Sequence, residues 1–176
     1  ILIALSYYPE LKNSPILFRI RKRHGGLNTR PTWAGAFESP RKRHFVITIS
    51  DSTEEMLMPV LFKNLPFNAQ VGVMGHELAH VLDFYNMSTK QIILHVIKNV
   101  SAKYIDRFEY NTDAICIAHG LGYQLLEWSS YVRKKMTRET WRGPDYVHRA
   151  MKKERYMNPG TILKRIEANP IYQNTR

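Results

Sequence analysis

The segment from His76 to His80 reads H-E-L-A-H, so two histidines stand four residues apart and Glu77 follows the first. In a helix, residues four apart lie on one face, with roughly 5–6 Å between their β-carbons. Two imidazoles at that spacing can converge on one metal ion, with the glutamate beside them. The two histidines lie on one face only if the segment is helical. The flanking sequence shows whether a helix is expected there.

Apolar residues recur at helical spacing around this segment and predict a helix with Asn68 as its N-cap. The apolar stripe comprises Val71, Met74, Leu78, Val81, Leu82 and Tyr85. Gly72 and Gly75 each cost a helix interior about 1 kcal/mol relative to alanine. Their presence therefore indicates close backbone packing, which we expect to be against a sheet. A metal site is the expected function of this helix, because burying two histidines and a glutamate without a partner is costly.

A third metal ligand is expected downstream, because catalytic zinc generally takes three protein ligands and leaves the fourth position to water. The segment 108–113 places Glu109 and Asp113 four residues apart on a predicted second helix. Glu109 would complete the ligand set, and Asp113 would accept the free N–H of a ligand histidine and fix its tautomer. His95 and His119 are the competing ligands, but neither has a companion carboxylate placed to orient it.

With Glu109 and Asp113 in place, the sequence resembles the gluzincin metallopeptidases, which join H-E-x-x-H to a glutamate in a later E-x-x-x-D segment. It is most similar to the E-x-x-A-D segment of the Ste24 and HtpX-like endopeptidases, with Thr112 in place of their alanine. The residues that carry this likeness are Glu109, Tyr110, Asn111, Asp113, Gly120, Gly122 and Tyr123. The segment 76–83 also resembles the motif of the Mlc titration factor A peptidases. The resemblance covers about residues 68 to 126.

The resemblance implies a zinc-dependent endopeptidase that acts on polypeptide substrates. His76, His80 and Glu109 would hold one zinc ion, and Glu77 would act as the general base on a water that the metal activates. Asp83, one turn after the second histidine, is either a partner of that histidine or the solvated end of the helix. A donor to the developing oxyanion is also needed. The candidates for that donor are His148, Tyr146, Arg142, Tyr123 and Tyr156.

The order of elements, strands first and helices later, predicts an α+β fold. Strands are predicted for 16–23, 32–37 and, most strongly, 44–50. The resemblance implies a zincin-like arrangement, in which a small N-terminal sheet packs on the active-site helix and a mainly helical part follows. In that arrangement residues 45–50, or the neighbouring strand, bind the substrate backbone. After the metal helix, Ser88 and Gln91 predict a capping box.

The length of 176 residues predicts a single domain, 1–176. No apolar run approaches the roughly 18 residues needed to span a bilayer, so a soluble protein is expected. The sequence leaves its compartment open, with the bacterial cell envelope or secretion favoured. The chain starts at Ile1 without an initiator methionine, which suggests trimming. The single cysteine, Cys116, excludes an internal disulfide and a thiolate zinc site.

The formal net charge of +11 bears on the partners of the protein. Basic residues cluster in the segments 19–24, 41–44, 133–135 and 149–155. Such a field attracts nucleic acid, an anionic membrane surface or acidic polypeptide. The charge therefore supports an alternative function, a basic nucleic-acid-associated protein with a structural or accessory zinc site.

Overall fold

A short helix, a small sheet and then a series of helices make up the structure, a computed structural model that describes residues 1–22, 25–136 and 154–173. The strands are β1 (Ile16–Arg21), β2 (Leu27–Pro31) and β3 (Phe45–Ser50). The helices are α1 (Leu2–Leu5), α2 (Phe67–Asn86), α3 (Thr89–Lys98), α4 (Ala102–Cys116), α5 (Gly122–Lys135) and α6 (Pro159–Glu167). The predicted α+β class is confirmed.

The sheet has the order β1-β3-β2, so β3 lies at its centre. β1 runs parallel to β3, and β2 runs antiparallel to it with Thr29 opposite Ile47. Every residue of β3 is buried, as its β-branched sequence predicts. Because β3 is paired on both sides, it cannot accept a substrate strand. Its neighbours β1 and β2 are both edge strands, and β2 packs against α2.

The predicted strand at 32–37 is wrong, because Gly35–Phe37 forms a 3-10 turn. Thr32 starts this turn, since its hydroxyl accepts the N–H of Gly35 at 2.9 Å. The strand that pairs with β3 is β2 instead, whose sequence L-N-T-R-P lacks alternating apolar residues. Pro31 is tolerated there because an edge strand leaves some N–H positions without a ladder partner.

The helix α2 is the centre of the core, and its predicted apolar stripe packs inside the protein. It begins at Phe67 after Pro66, with no side-chain cap, so the predicted N-cap at Asn68 is wrong. A β-carbon on Gly72 would overlap the backbone of Gln124 in α5. Gly72 therefore packs closely against a helix, and Gly75 against the turn that precedes it, rather than against the sheet.

Three helices follow α2 in the chain before the undescribed residues, and two of them pack on it. α3 begins with the predicted capping box of Ser88 and Gln91. α4 packs on α2, and the π-helical turn Ile117–Leu121, with Gly120 at φ +90°, leads into α5, which also packs on α2. Among the described helices, none combines the length and apolar character needed to cross a membrane.

Candidate metal centre

Two helices bring three possible metal ligands together. α2 supplies His76 and His80 from successive turns, and α4 supplies Glu109. The Nε2 atoms of the two histidines lie 3.1 and 3.3 Å from Oε2 of Glu109, and all three ligand atoms lie within 4.8 Å of one another. Ligands bonded at zinc distances to the corners of a tetrahedron stand about 3.4 Å apart. This buried group could therefore hold a metal ion.

Asp113 orients the first histidine. Its Oδ1 accepts the Nδ1–H of His76 at 2.8 Å, and its Oδ2 accepts the backbone N–H of Met157 at 2.7 Å. The carboxylate is buried, so both oxygens are satisfied within the protein. With Nδ1 engaged in this way, Nε2 of His76 is the nitrogen that faces Glu109.

Thr112 orients the second histidine in the same way. Its hydroxyl donates to the carbonyl oxygen of Phe108 at 2.9 Å, so it accepts the Nδ1–H of His80, 3.2 Å away. By sequence, Thr112 is only a departure from the alanine of the E-x-x-A-D segment, and its role behind His80 is not predicted. A threonine that hydrogen-bonds to the carbonyl one turn earlier has its proton committed, which is the signal that could have found it.

The ligand residues shift one another's pKa values. Burial alone lowers the pKa of His76, but hydrogen bonds to Asp113 and Glu109 outweigh it and raise that pKa well above its usual value. Burial alone raises the pKa of Glu109, but contact with His76 and His80 holds that pKa well below its usual range. Glu109 is therefore ionised, the form in which a carboxylate binds a metal.

Glu77 lies beside the group, held by a residue of the sheet. Its Oε2 accepts the hydroxyl proton of Thr29 at 2.6 Å, and both side chains are buried. Thr29 belongs to β2, so the strand missing from the sequence prediction is the one that positions this glutamate. The bond joins residues 48 apart in sequence, a separation at which no local pattern reports contact.

A polar cavity of about 220 Å³ opens onto the ligands and Glu77. Tyr156 lines it too, with its ring centroid 5.7 Å from that of His76. Burial, followed by the negative charge of Glu109 and Glu77, raises the pKa of Tyr156, so its hydroxyl keeps its proton and can donate. Tyr123 is more than half exposed and packs on Tyr172 instead. The other candidate donors, His148, Tyr146 and Arg142, lie outside the described residues.

Three further predicted candidates do not join the ligand group. Within the described part of the chain, Asp83 forms no hydrogen bond to either ligand histidine; burial raises its pKa, and the charge of His80 partly offsets that rise. His95 lines the cavity wall and contacts the hydroxyl of Tyr104 at 3.0 Å. His119 stacks on Tyr8, with its Nδ1 2.8 Å from the carbonyl oxygen of Ile115.

Comparison with known proteins adds no assignment, because no family model, curated protein or solved structure matches the chain. The site consists of His76, His80 and Glu109, with Glu77 on the cavity wall and Asp113 behind the first histidine.

Proposed function

We propose that this protein is a zinc-dependent endopeptidase of gluzincin type. The proposal is carried by one observation: three buried ligand atoms from His76, His80 and Glu109 converge at a cavity that Glu77 also lines. A general base beside a three-ligand metal group is the arrangement that hydrolytic metal sites require. A structural zinc site would instead use a fourth protein ligand and would leave no cavity at the ligands.

Zinc suits this donor set, because two imidazoles and one carboxylate are among its usual ligands in catalytic sites. Bound there, zinc would supply a Lewis acid that lowers the pKa of a water molecule and polarises a carbonyl oxygen. Asp113 and Thr112 hold the two imidazoles with Nε2 towards the ligand position. Such outer partners support metal affinity and fix the ligand rings.

Glu77 would do the proton chemistry of the reaction. It takes a proton from the attacking water as the water oxygen bonds to the carbonyl carbon of the peptide, and returns that proton to the amine nitrogen as the C–N bond breaks. Thr29 fixes one carboxylate oxygen and so limits rotation of Glu77. Tyr156, with its proton retained, would donate to the oxygen that becomes negative.

Substrate would bind in extended form along β2. This strand is an edge of the sheet, and its residues Leu27, Asn28 and Thr29 line the polar cavity. A peptide that pairs with such an edge places its backbone in register with the sheet. The scissile carbonyl would then lie between Glu77 and the metal ligands.

The test is cleavage of a mixed peptide library by zinc-loaded protein, read by mass spectrometry. We expect Glu77→Gln to abolish cleavage and to retain zinc, because Glu77 is not a ligand. The matched control is Glu167→Gln, an exposed glutamate outside this cavity, which should leave cleavage unchanged. Zinc-loaded protein that cleaves no peptide would overturn the proposal.

The alternative of a nucleic-acid-associated protein with an accessory zinc site is favoured only by the net charge of +11. Part of that charge is used inside the protein: Arg43 is buried and donates to backbone carbonyls, and Arg155 pairs with Asp106 at 2.7 Å. Nucleic-acid binding with a steep salt dependence, together with no peptidase activity, would favour this alternative. Binding to anionic vesicles under the same conditions would favour a membrane surface as the partner.

A further inference from the structure

A second cavity, of about 330 Å³, adjoins the metal site on the side of Glu77. It shares His76, Glu77, Leu27 and Tyr156 with the polar cavity, so the two spaces meet at the catalytic glutamate. Its volume lies at the lower end of the range for ligand pockets, about 300–1,000 Å³. A substrate held at the metal site therefore has this cavity beside it.

The walls of the second cavity are apolar. They include Val73 from α2, Trp128 and Val132 from α5, and Leu57 and Val60 from the turn Glu55–Val60. Among its lining residues the ionisable side chains are those of His76, Glu77 and Tyr156, all shared with the polar cavity. A charged side chain that entered the cavity would lose its hydration and would gain no partner other than these three shared residues. An apolar side chain would lose only its unfavourable contact with water.

The cavity is built on rigid elements. Val73 and Val132 are buried on α2 and α5, the helices that meet at the close approach of Gly72 to Gln124. Trp128 stands with its ring centroid 6.0 Å from that of His76, so the apolar wall reaches the metal site itself. Walls fixed in this way keep the cavity open to a ligand rather than closing it by repacking.

We propose that this second cavity is the subsite for one large apolar side chain of the substrate, of the size of leucine, methionine or phenylalanine, next to the scissile bond. The inference rests on the proposed peptidase function. It makes the protein selective for polypeptide segments that carry such a residue at the cleavage site. Polypeptides with a small or charged residue at the same position are poor substrates.

Specificity is tested with peptides that differ only in the residue nearest the cleaved bond. We expect kcat/KM for leucine or phenylalanine to exceed that for alanine or aspartate by at least about tenfold, the scale on which apolar pockets discriminate. Leu57→Asp places a carboxylate on the half-buried wall of the cavity. We expect kcat/KM of this variant to be higher for a peptide with lysine at that position than for the leucine peptide. Leu163→Asp, the same change at an exposed position of α6 outside the cavity, should leave the order unchanged.

A binding measurement separates this inference from the peptidase proposal. N-acetyl amino-acid hydroxamates of glycine, leucine, phenylalanine and aspartate are titrated calorimetrically into zinc-loaded protein, since the hydroxamate anchors each at the metal. At least tenfold tighter binding of the leucine and phenylalanine compounds than of the glycine compound, lost in Leu57→Asp, supports the subsite even if no peptide is cleaved. Equal affinities, or cleavage without side-chain preference, overturn it. Circular dichroism of each variant confirms that it is folded.

Discussion

Thr112 accepts the Nδ1–H of His80 at 3.2 Å, and its own proton goes to the carbonyl oxygen of Phe108. The next residue, Asp113, accepts the Nδ1–H of His76 at 2.8 Å. Two consecutive residues of α4 therefore orient the two histidines of α2, and Glu109 of the same helix faces their Nε2 atoms. The candidate metal site is thus a property of one helix crossing.

Replacing Thr112 by valine should weaken zinc binding by about 10- to 100-fold, the usual cost of losing a partner behind a metal ligand. Valine keeps the shape of threonine but leaves the Nδ1–H of His80 without an acceptor. Thr112→Ser retains the hydroxyl and should restore most of the affinity. Competition with a chromogenic chelator measures the effect.

The matched control for that experiment is Thr53→Val. Among the described residues, the buried hydroxyl of Thr53 has no hydrogen-bond partner, so its removal should not lower zinc affinity. Equal losses in Thr112→Val and Thr53→Val would mean that zinc affinity follows general stability rather than the orientation of His80.

Asp113→Asn should lower both zinc affinity and the stability of the zinc-free protein. One carboxylate oxygen binds His76 and the other binds the backbone N–H of Met157, and an asparagine has only one oxygen to serve both. Leaving a buried donor unsatisfied costs about 1–3 kcal/mol of the free energy of unfolding. Urea denaturation in the presence of chelator isolates this loss from that of the metal. An unchanged unfolding midpoint would contradict the double role.

The sequence predicts the part of the site that depends on local spacing. His76 and His80 share a helix face by their separation alone, and so do Glu109 and Asp113, because helical periodicity is fixed by the backbone. The capping box at Ser88 is readable for the same reason. The two histidines and the two carboxylates come together because the two predicted helices, α2 and α4, pack on each other.

What the sequence could not supply is contact between distant segments. Nothing in L-N-T-R-P indicates that Thr29 reaches Glu77, because this segment lacks the apolar alternation by which a sequence reports a strand with a buried face. Gly72 and Gly75 indicate a close approach, but not that the neighbours are α5 and the turn before it rather than the sheet. Identification of the neighbour depends on tertiary packing, which no single segment encodes.

If the proposed peptidase function is right, Thr29→Val should reduce kcat by roughly tenfold, less than the roughly 10²- to 10⁴-fold that a general base contributes, and should leave zinc affinity unchanged. The change frees Glu77 to rotate away from the attacking water, but it removes no metal ligand. Thr29→Ser should restore kcat. Steady-state kinetics together with zinc titration distinguish the roles: a parallel loss of zinc affinity would place Thr29 in support of the ligands instead.

Arg43→Met should destabilise the protein by at least about 3 kcal/mol. Its buried guanidinium donates to the carbonyl oxygens of Phe84 and Met87 at the end of α2, and to two further carbonyls. A cation there also complements the negative end of the helix dipole. Arg41→Met, at an exposed position nearby, is the control and should change the free energy of unfolding by less than about 0.5 kcal/mol. Similar urea midpoints for the two variants would show that the hydrogen bonds of Arg43 do not stabilise the fold.

Tyr172 should make stability fall between pH 10 and 12. Its hydroxyl donates to the carbonyl oxygen of Ile117 at 2.6 Å and accepts the N–H of Gly122 at 2.7 Å. Burial raises the pKa of Tyr172 from 10.0 to about 12, although the Gly122 N–H opposes this rise. In that window the unfolded chain has lost the proton while the native state retains it, so stability falls as pH rises.

Tyr172→Phe should be less stable at pH 8, because two backbone groups lose their partner, and the difference in stability from the wild type should narrow above pH 10. Thermal unfolding from pH 8 to 12 tests this, with the exposed Tyr123→Phe as control; a gap that stays constant with pH would show that Tyr172 does not ionise on unfolding.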